Sequence, residues 1–160
     1  MSVSFPEPAA DNGFLAEHMA LVARSYHLLT GHDLLPADDG DPTTRARRLY
    51  EAPFFLASHD GAADPVFNYG NLTAQRLFEM DWTGFTGTPS RFTAEEPNRA
   101  ERARLLERVR ADGFIDDYAG IRVSRTGKRF RIEAATVWNV LDGAGHPVGQ
   151  AATFDRWTAL

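Results

Sequence analysis

The segment that most constrains the fold is Asp64–Met80, where a short strand pattern passes directly into a helix pattern. Val66, Phe67 and Tyr69 are residue types that favour a pleated, half-buried strand. Asn71 is a strong helix N-cap candidate, because its side-chain oxygen can accept an N–H that the first helical turn leaves without a partner. The apolar residues that follow recur at helical spacing, and they are Ala74, Leu77 and Phe78. The segment therefore predicts a strand that leads into a capped helix, as in a small α+β domain.

The composition is that of an ordinary globular protein, and it narrows the possible chemistry. The 160 residues are 43% hydrophobic and 24% charged, which suits one domain with an extension. Cysteine does not occur, so disulfides, thiolate metal sites and thiol nucleophiles are excluded. The net charge of −5 argues against attraction to nucleic acid or acidic membranes, and no apolar run reaches the length of about 18 residues that indicates a transmembrane helix. We therefore expect a cytoplasmic protein with neither a nucleic-acid nor a membrane partner.

The hydrophobic pattern divides the chain into three parts. Residues 1–12 contain two prolines and are predicted to form a disordered tail. Residues 13–52 are predicted to form a helical extension, in which Phe14–Thr30 carries one apolar stripe with steps of three and four residues. The main domain is expected to span residues 53–160. The stripe either packs on the chain's own domain or pairs with a second copy, because the same spacing suits a homodimer formed by helix–helix pairing.

Strands and helices follow one another without strict alternation in the main domain. Strands are predicted over Phe54–His59, Val66–Tyr69, Phe114–Ser124, Arg129–Leu141 and Val148–Trp157, and helices over Asn71–Met80 and Asn98–Asp112. A short helix from Pro42 to about Tyr50 precedes them, and residues 81–92 are predicted to form turns. Thr93 and Glu96 form a capping-box pattern. The last three strands make an antiparallel meander, so we predict an α+β fold with a five-stranded antiparallel sheet. Helices after Asn71 should cover one face of this sheet and the N-terminal helix the other.

This order of elements resembles that of a known family, and three blocks of residues carry the resemblance. The blocks are Phe54–Met80 with Ser58-His59 and Asp64-Pro65, Trp82–Glu95 with Pro89-Ser90-Arg91, and Gly113–Ala152 with Gly120-Ile121-Arg122, Trp138-Asn139 and Gly149-Gln150. Together they are similar to the MEKHLA domain, a PAS-like family, in its stand-alone bacterial form. The resemblance implies a PAS-like fold, a ligand cavity between sheet and helices, and a sensory role. It supplies neither a catalytic residue nor a ligand.

Polar and aromatic residues expected near such a cavity are the candidate ligand-binding residues. They are His59, Asn68, Trp82, Ser90, Arg91, Tyr118, Arg122, Trp138 and Gln150. Arg91 is the most informative, because an arginine that is partly buried in a packed loop requires a partner. It either binds a carboxylate or similar anion through the fork of its guanidinium, together with Ser90 and with Tyr118 or Arg122, or it pairs internally with Glu95 or Asp116. The arginines of the Asn98–Asp112 helix are predicted to form a solvated face.

Other candidates have an ordinary alternative. His59 could bind haem, act as a base or sense pH, or it could be a hydrogen-bonded histidine beside a turn. Trp82 and Trp138 could line a pocket for a flat ligand or simply fill the core. The spacing of the five histidines does not match a zinc motif, so no metal is expected. The sequence names no cofactor, and a PAS-like cavity would suit an organic ligand.

The sequence leads to three functional hypotheses. The first is a PAS-like sensory or regulatory module that binds a small molecule or a signalling protein. The second is a small enzyme that uses the same cavity for acid–base chemistry on an anionic or aromatic metabolite, with His59, Arg91 and Tyr118 as candidate groups. It ranks lower, because no nucleophile–base pair is evident in the sequence. The third is a dimerisation module built on Phe14–Thr30.

Overall fold

The computed structural model describes residues 5–36, 40–94 and 99–160. Within these ranges the chain forms five α-helices and six β-strands. The helices are α1 (Ala16–Thr30), α2 (Pro42–Tyr50), α3 (Leu72–Phe78), α4 (Trp82–Thr86) and α5 (Arg99–Asp112). The strands are β1 (Phe55–Asp60), β2 (Phe67–Gly70), β3 (Phe114–Val123), β4 (Arg129–Leu141), β5 (Pro147–Phe154) and β6 (Arg156–Ala159). The predicted α+β class is confirmed.

All six strands join one antiparallel sheet with the spatial order β2-β1-β5-β4-β3. β1 pairs with β2 on one side and β5 on the other, which brings the first strand against the C-terminal meander. β6 pairs with the beginning of β4. The sheet has one strand more than predicted, because the expected strand Val148–Trp157 is interrupted by a bend at Asp155 and continues as β6.

Helices cover both faces of the sheet, as predicted. On one face, Met19 and Val22 of α1 pack in the same cluster as Trp138 of β4. On the opposite face, Phe78 of α3 and Phe85 of α4 pack with residues of β1, β4 and β5. α5 adds a smaller cluster of its own on that side. The apolar stripe of α1 is thus used inside the chain, so the packing gives no support to the alternative of a homodimer through Phe14–Thr30.

The described part of the segment before α1, residues 5–15, packs on the core, whereas residues 1–12 were predicted to form a disordered tail. Phe5 packs on the core, and its carbonyl oxygen accepts a hydrogen bond from Nε1 of Trp82 at 3.1 Å. A 3-10 helix over Ala10–Leu15 then leads into α1. Residues 1–4 lie outside the described residues. The division at residue 53 stays a prediction, although α1 and α2 share one core with the sheet.

Local cap residues explain where two of the helices begin. Asn71 caps α3 as predicted, since its Oδ1 accepts from the backbone N–H of Ala74 at 3.0 Å. Asp81 caps α4 by accepting from Gly84 at 2.8 Å, so part of the stretch predicted as turns is a short helix. The predicted capping partner Glu96 and the predicted first residue of α5, Asn98, lie outside the described residues.

Candidate functional site

A small cavity lies between the sheet and α5. Its volume is about 70 Å³, which is room for roughly five waters at about 10–15 Å³ each. Its apolar lining includes Phe55, Phe78, Ile132, Ala135 and Phe154. Its polar lining includes His59, Arg102, Tyr118, Arg122 and Gln150. An apolar space with a few convergent polar groups has the composition of a small-ligand site.

Two irregularities in the β3–β4 hairpin decide which side chains reach this cavity. The pairing of the two strands shifts between Ile115 and Tyr118, and both residues pack on the α5 side. On β4, Ala134 adopts a φ of 50°, and Ile132 and Ala135 both line the cavity. Two-residue alternation of faces therefore fails at both points, because it holds only through a regular strand.

Arg102 is the buried arginine of the site, with 8% of its surface exposed. Its Nη2 donates a short hydrogen bond to Oγ of Ser90, which is fully buried. Among the described residues, no carboxylate forms an ion pair with it. Burial, and after it the positive charge of Arg122, lowers the pKa of Arg102 to about 10, so the side chain stays charged at neutral pH. The site therefore holds a buried cation whose only described hydrogen-bond partner is a hydroxyl.

Arg122 and Tyr118 of β3 bring a second cation to the cavity. The Arg122 guanidinium lies 5.1 Å from the centroid of the Tyr118 ring, and its Nη1 donates to the carbonyl oxygen of Ile121 at 3.3 Å. No described carboxylate forms an ion pair with Arg122 either. Two cations near one apolar cavity favour an anion there, since a buried charge needs compensation.

His59 and Gln150 contribute hydrogen-bond acceptors from the neighbouring strands β1 and β5, where they pair directly. The Nδ1 of His59 donates to the carbonyl oxygen of Asp60 at 2.9 Å, which leaves Nε2 as an acceptor. Burial lowers the pKa of His59 to about 4, so the ring is neutral at pH 7. The Nε2 of Gln150 donates to the carbonyl oxygen of Leu106 at 3.1 Å and to Oδ1 of Asn139 at 3.2 Å. Its Oε1 is buried and has no hydrogen-bond partner among the described residues.

An outer groove lies next to the cavity and shares lining residues with it. Its volume is about 770 Å³, and it runs between α5 and the ends of β1 and β5. His59, Arg102 and Gln150 line both the cavity and the groove. We call these three residues the neck. The neck therefore sets three polar side chains at the boundary between an apolar interior and solvent.

Four of the nine predicted site residues come together around the cavity, namely His59, Tyr118, Arg122 and Gln150. Arg91, expected to be partly buried, is instead exposed in the outer groove, and its Nε donates to Oδ1 of Asp64 at 3.0 Å. Its predicted internal partners were Asp116 and Glu95, and Glu95 lies outside the described residues. Ser90, next to Arg91, is buried as the acceptor for Arg102. The loop therefore contacts a buried arginine of α5 through Ser90, whereas Arg91 itself pairs with Asp64 at the surface.

Trp82, Trp138 and Asn68 do not line the cavity, which corrects their candidacy. Both tryptophans belong to the core cluster that contains α1, and each Nε1 donates to a backbone carbonyl oxygen, at 3.1 and 3.2 Å. The Oδ1 of Asn68 accepts from Oγ of Ser58 at 2.6 Å. These contacts occupy Nε1 of both tryptophans and Oδ1 of Asn68.

Arg102 is the site residue that the sequence analysis missed. It was grouped with the arginines of a solvated face, yet it shares a helix face with Leu105 and Val109, three and seven residues later, and all three are buried. That spacing was the available signal, because residues at i, i+3 and i+7 lie on one side of a helix.

Among the described residues, no group of three or more His, Cys, Asp or Glu side chains could hold a metal ion. In the same part of the chain, every helix is too short or too polar to cross a membrane.

Comparison with known proteins adds a family. The family model of the MEKHLA domain matches residues 16–159. The chain is similar to the homeobox-leucine zipper protein ATHB-14 of Arabidopsis thaliana, with 28% identity over 140 residues. The aligned region covers 86% of this chain and 16% of that protein. The chain thus spans about a sixth of the length of this curated relative. Because the relative is a plant protein, the expectation of a stand-alone bacterial form finds no support.

Solved structures show the fold. A PAS domain from Colwellia psychrerythraea matches with a TM-score of 0.59 at 13% identity, covering 69% of this chain and 91% of that one. A light-oxygen-voltage domain, studied with a flavin analogue, matches with a TM-score of 0.55 at 14% identity, covering 73% and 84%. The predicted PAS-like fold is therefore confirmed.

Proposed function

Because this chain belongs to the MEKHLA domain family and has a PAS-like fold, we propose that it is a sensory or regulatory module that binds a small organic molecule in the cavity. The observation that carries the proposal is the neck. Arg102 has no described carboxylate partner, and Oε1 of Gln150 has no described donor. Leaving buried polar groups in this state costs free energy, and a bound molecule would satisfy both of them.

The proposed ligand is small. The flavin analogue belongs to the similar light-oxygen-voltage structure. A cavity of about 70 Å³ is well below the roughly 300–1,000 Å³ of pockets that enclose drug-sized ligands. A tricyclic flavin therefore does not fit the cavity in this conformation, and we assign no flavin chemistry to the chain.

We propose that ligand occupancy is read by a signalling partner. The similar Arabidopsis protein is named a homeobox-leucine zipper protein, and the matched part is 16% of its length. A domain of this kind can alter a partner or a neighbouring domain only if the ligand binds its two conformations with different affinity. The mobile part of that response would be the groove side of α5, because α5 carries Arg102 and covers the cavity.

The enzyme alternative has less support from the geometry. Its candidate groups were His59, Arg91 and Tyr118, but Arg91 lies in the outer groove and Tyr118 in the cavity. The Nδ1 of His59 is engaged by a backbone carbonyl oxygen. The three groups therefore do not converge on one point, and we do not propose catalysis.

A cavity-filling substitution tests the proposal. Ala135 is buried on β4 and lines the cavity, so Ala135→Leu would occupy part of it. We expect native mass spectrometry and thermal shift measurements with a panel of small metabolites to find a ligand that raises the Tm of the wild type but not of this variant. Ala159→Leu, on the exposed strand β6, is the matched control and should keep the shift.

The proposal would be contradicted if no compound of the panel raised the Tm, or if Ala135→Leu kept the full shift. If Ala135→Leu does not fold, Ala152→Val on β5 fills the same cavity with a smaller change in volume.

A further inference from the structure

We infer that the ligand of this cavity is a short-chain apolar 2-hydroxy carboxylate, whose carboxylate binds Arg102 and whose hydroxyl donates to Gln150. The inference rests on the proposed function and deepens it by assigning the chemical class of the ligand. It is carried by three observations that belong to different atoms of the site. They are a buried guanidinium, an unpartnered amide oxygen and an apolar cavity of limited volume.

The carboxylate follows from Arg102. A guanidinium carries five N–H donors, and only one described bond, to Ser90, uses them. Its planar fork matches the two oxygens of a carboxylate, and such charge-assisted pairs are about twice as strong as neutral hydrogen bonds. Arg122 also lines the cavity and adds a second positive charge there. An anion at the neck would therefore have two favourable effects. It would reduce the repulsion between Arg102 and Arg122, and it would offset the free-energy cost of burying Arg102.

The hydroxyl follows from Gln150. Its Nε2 is fixed by Leu106 and Asn139, so the amide cannot exchange its two ends without losing both bonds. Oε1 therefore remains an acceptor that needs a donor, and a carboxylate has none. Nε2 of His59, also at the neck, is a second acceptor. An ammonium group would be a donor too, but Arg102 and Arg122 disfavour a third cation. A hydroxyl beside the carboxylate supplies the donor without a charge.

The short apolar chain follows from the cavity. Room for roughly five waters holds a branched chain of three or four carbons. The walls beyond the neck include Phe55, Phe78, Ile132 and Phe154, so this chain would exchange water for apolar contacts. The polar head then stays at the neck, whose three residues also line the outer groove.

Isothermal titration with three matched probes tests the inference. They are 2-hydroxyisovalerate, isovalerate, which lacks the hydroxyl, and 2-hydroxyisovaleramide, which lacks the charge. We expect 2-hydroxyisovalerate to bind at least tenfold more tightly than either of the others. Arg102→Met should raise the Kd of 2-hydroxyisovalerate at least tenfold and leave that of the amide unchanged. Arg108→Met, an exposed residue on the same helix, is the matched control.

Gln150→Leu tests whether the ligand's hydroxyl is recognised, independently of any general effect of the substitution on the protein. The preference for 2-hydroxyisovalerate over isovalerate should disappear in this variant, and this ratio is read within one protein, so a general loss of affinity does not affect it. If Arg102→Met does not fold, Arg102→Lys keeps the charge and loses the fork, and it should weaken binding of both acids to an intermediate degree.

The inference is overturned if the amide binds as tightly as the acid, if isovalerate equals the hydroxy acid, or if Arg102→Met changes no Kd. A further outcome also overturns it: none of the three probes binds, but another compound of the metabolite panel does, and Ala135→Leu blocks that compound. In that case the proposed function stands, with a different class of ligand. If no compound of the panel binds either, the proposed function fails as well.

Discussion

Asn71 holds three elements of the fold through one side chain. Its Oδ1 accepts from the backbone N–H groups of Ala74 at 3.0 Å and Leu56 at 3.2 Å. Its Nδ2 donates to the carbonyl oxygens of Leu49 at 3.1 Å and Phe54 at 2.9 Å. The side chain is fully buried, so every one of its hydrogen-bonding positions faces protein. The predicted helix cap Asn71 therefore also connects α2, β1 and α3 by hydrogen bonds.

Asn71→Asp should lower the free energy of unfolding by about 3 kcal/mol. The aspartate keeps the capping oxygen, but its second oxygen meets two carbonyl oxygens that have lost their donor. Urea unfolding measures the change. Asp81→Asn is the matched control, because it exchanges the same two residue types at the exposed cap of α4, where the change should stay below about 0.5 kcal/mol. Equal stability of Asn71→Asp and the wild type would contradict this role.

Gly149 is required by the close approach of β1 and β5. A Cβ at this position would collide with the backbone carbonyl oxygen of His59, an atom that cannot move without opening the ladder. We expect Gly149→Ala to lower the free energy of unfolding by about 2 kcal/mol, within the range for overpacking. Gly143→Ala, in a turn where a Cβ meets nothing within 4 Å, should leave the thermal unfolding midpoint unchanged or slightly higher. A tolerated Gly149→Ala would mean that the two strands can separate at little cost.

At the scale of elements, the sequence predicts what depends on neighbouring residues and misses what depends on distant ones. β4 was predicted with its observed bounds, because a turn precedes it and apolar residues run through it. The break at Ala134 was missed, since alanine gives no sign of a positive φ. The spacing of Arg102 with Leu105 and Val109 indicates a buried position, but the contact of Arg102 with Ser90 depends on packing between α5 and a distant loop, which no local pattern reports.

The irregularity at Ala134 gives a prediction about β4. The residue is exposed and has a φ of 50°, a conformation that costs side-chain-bearing residues about 1–2 kcal/mol. Ala134→Gly should therefore raise the free energy of unfolding by about 0.5–1 kcal/mol, and Ala134→Val should lower it by at least about 1 kcal/mol. Glu133→Val, at the exposed neighbouring position, should be neutral, because its backbone is an ordinary strand. Chemical denaturation distinguishes these outcomes, and a stabilising Ala134→Val would refute the strained geometry.

At the scale of the whole molecule, a histidine ties the N-terminal helix to the sheet. His18 of α1 lies between the rings of Phe5 and Tyr69, and its Nε2 is 2.9 Å from Oγ of Ser58 on β1. Burial lowers the pKa of His18 to about 4. His59, on the same strand, has its pKa lowered to a similar value. Both faces of the sheet are thus packed around neutral histidines.

Acidification should therefore destabilise the whole fold before its carboxylates titrate. The unfolded chain binds protons on His18 and His59 near pH 6.5, whereas the folded chain binds them near pH 4, so the free energy of unfolding falls as the pH falls through this interval. Between pH 6.5 and 4.5 we expect a loss of roughly 4 kcal/mol. Hydrogen bonds from Ser124 and Thr126 lower the pKa of Glu79 to about 2. Protonation of Glu79 therefore lowers the free energy of unfolding only below about pH 4.5. Urea unfolding across this pH range measures how steeply the free energy of unfolding depends on pH. His18→Gln should roughly halve this dependence, and the exposed His32→Gln should leave it unchanged. A wild-type stability that does not change with pH would show that neither histidine is held neutral.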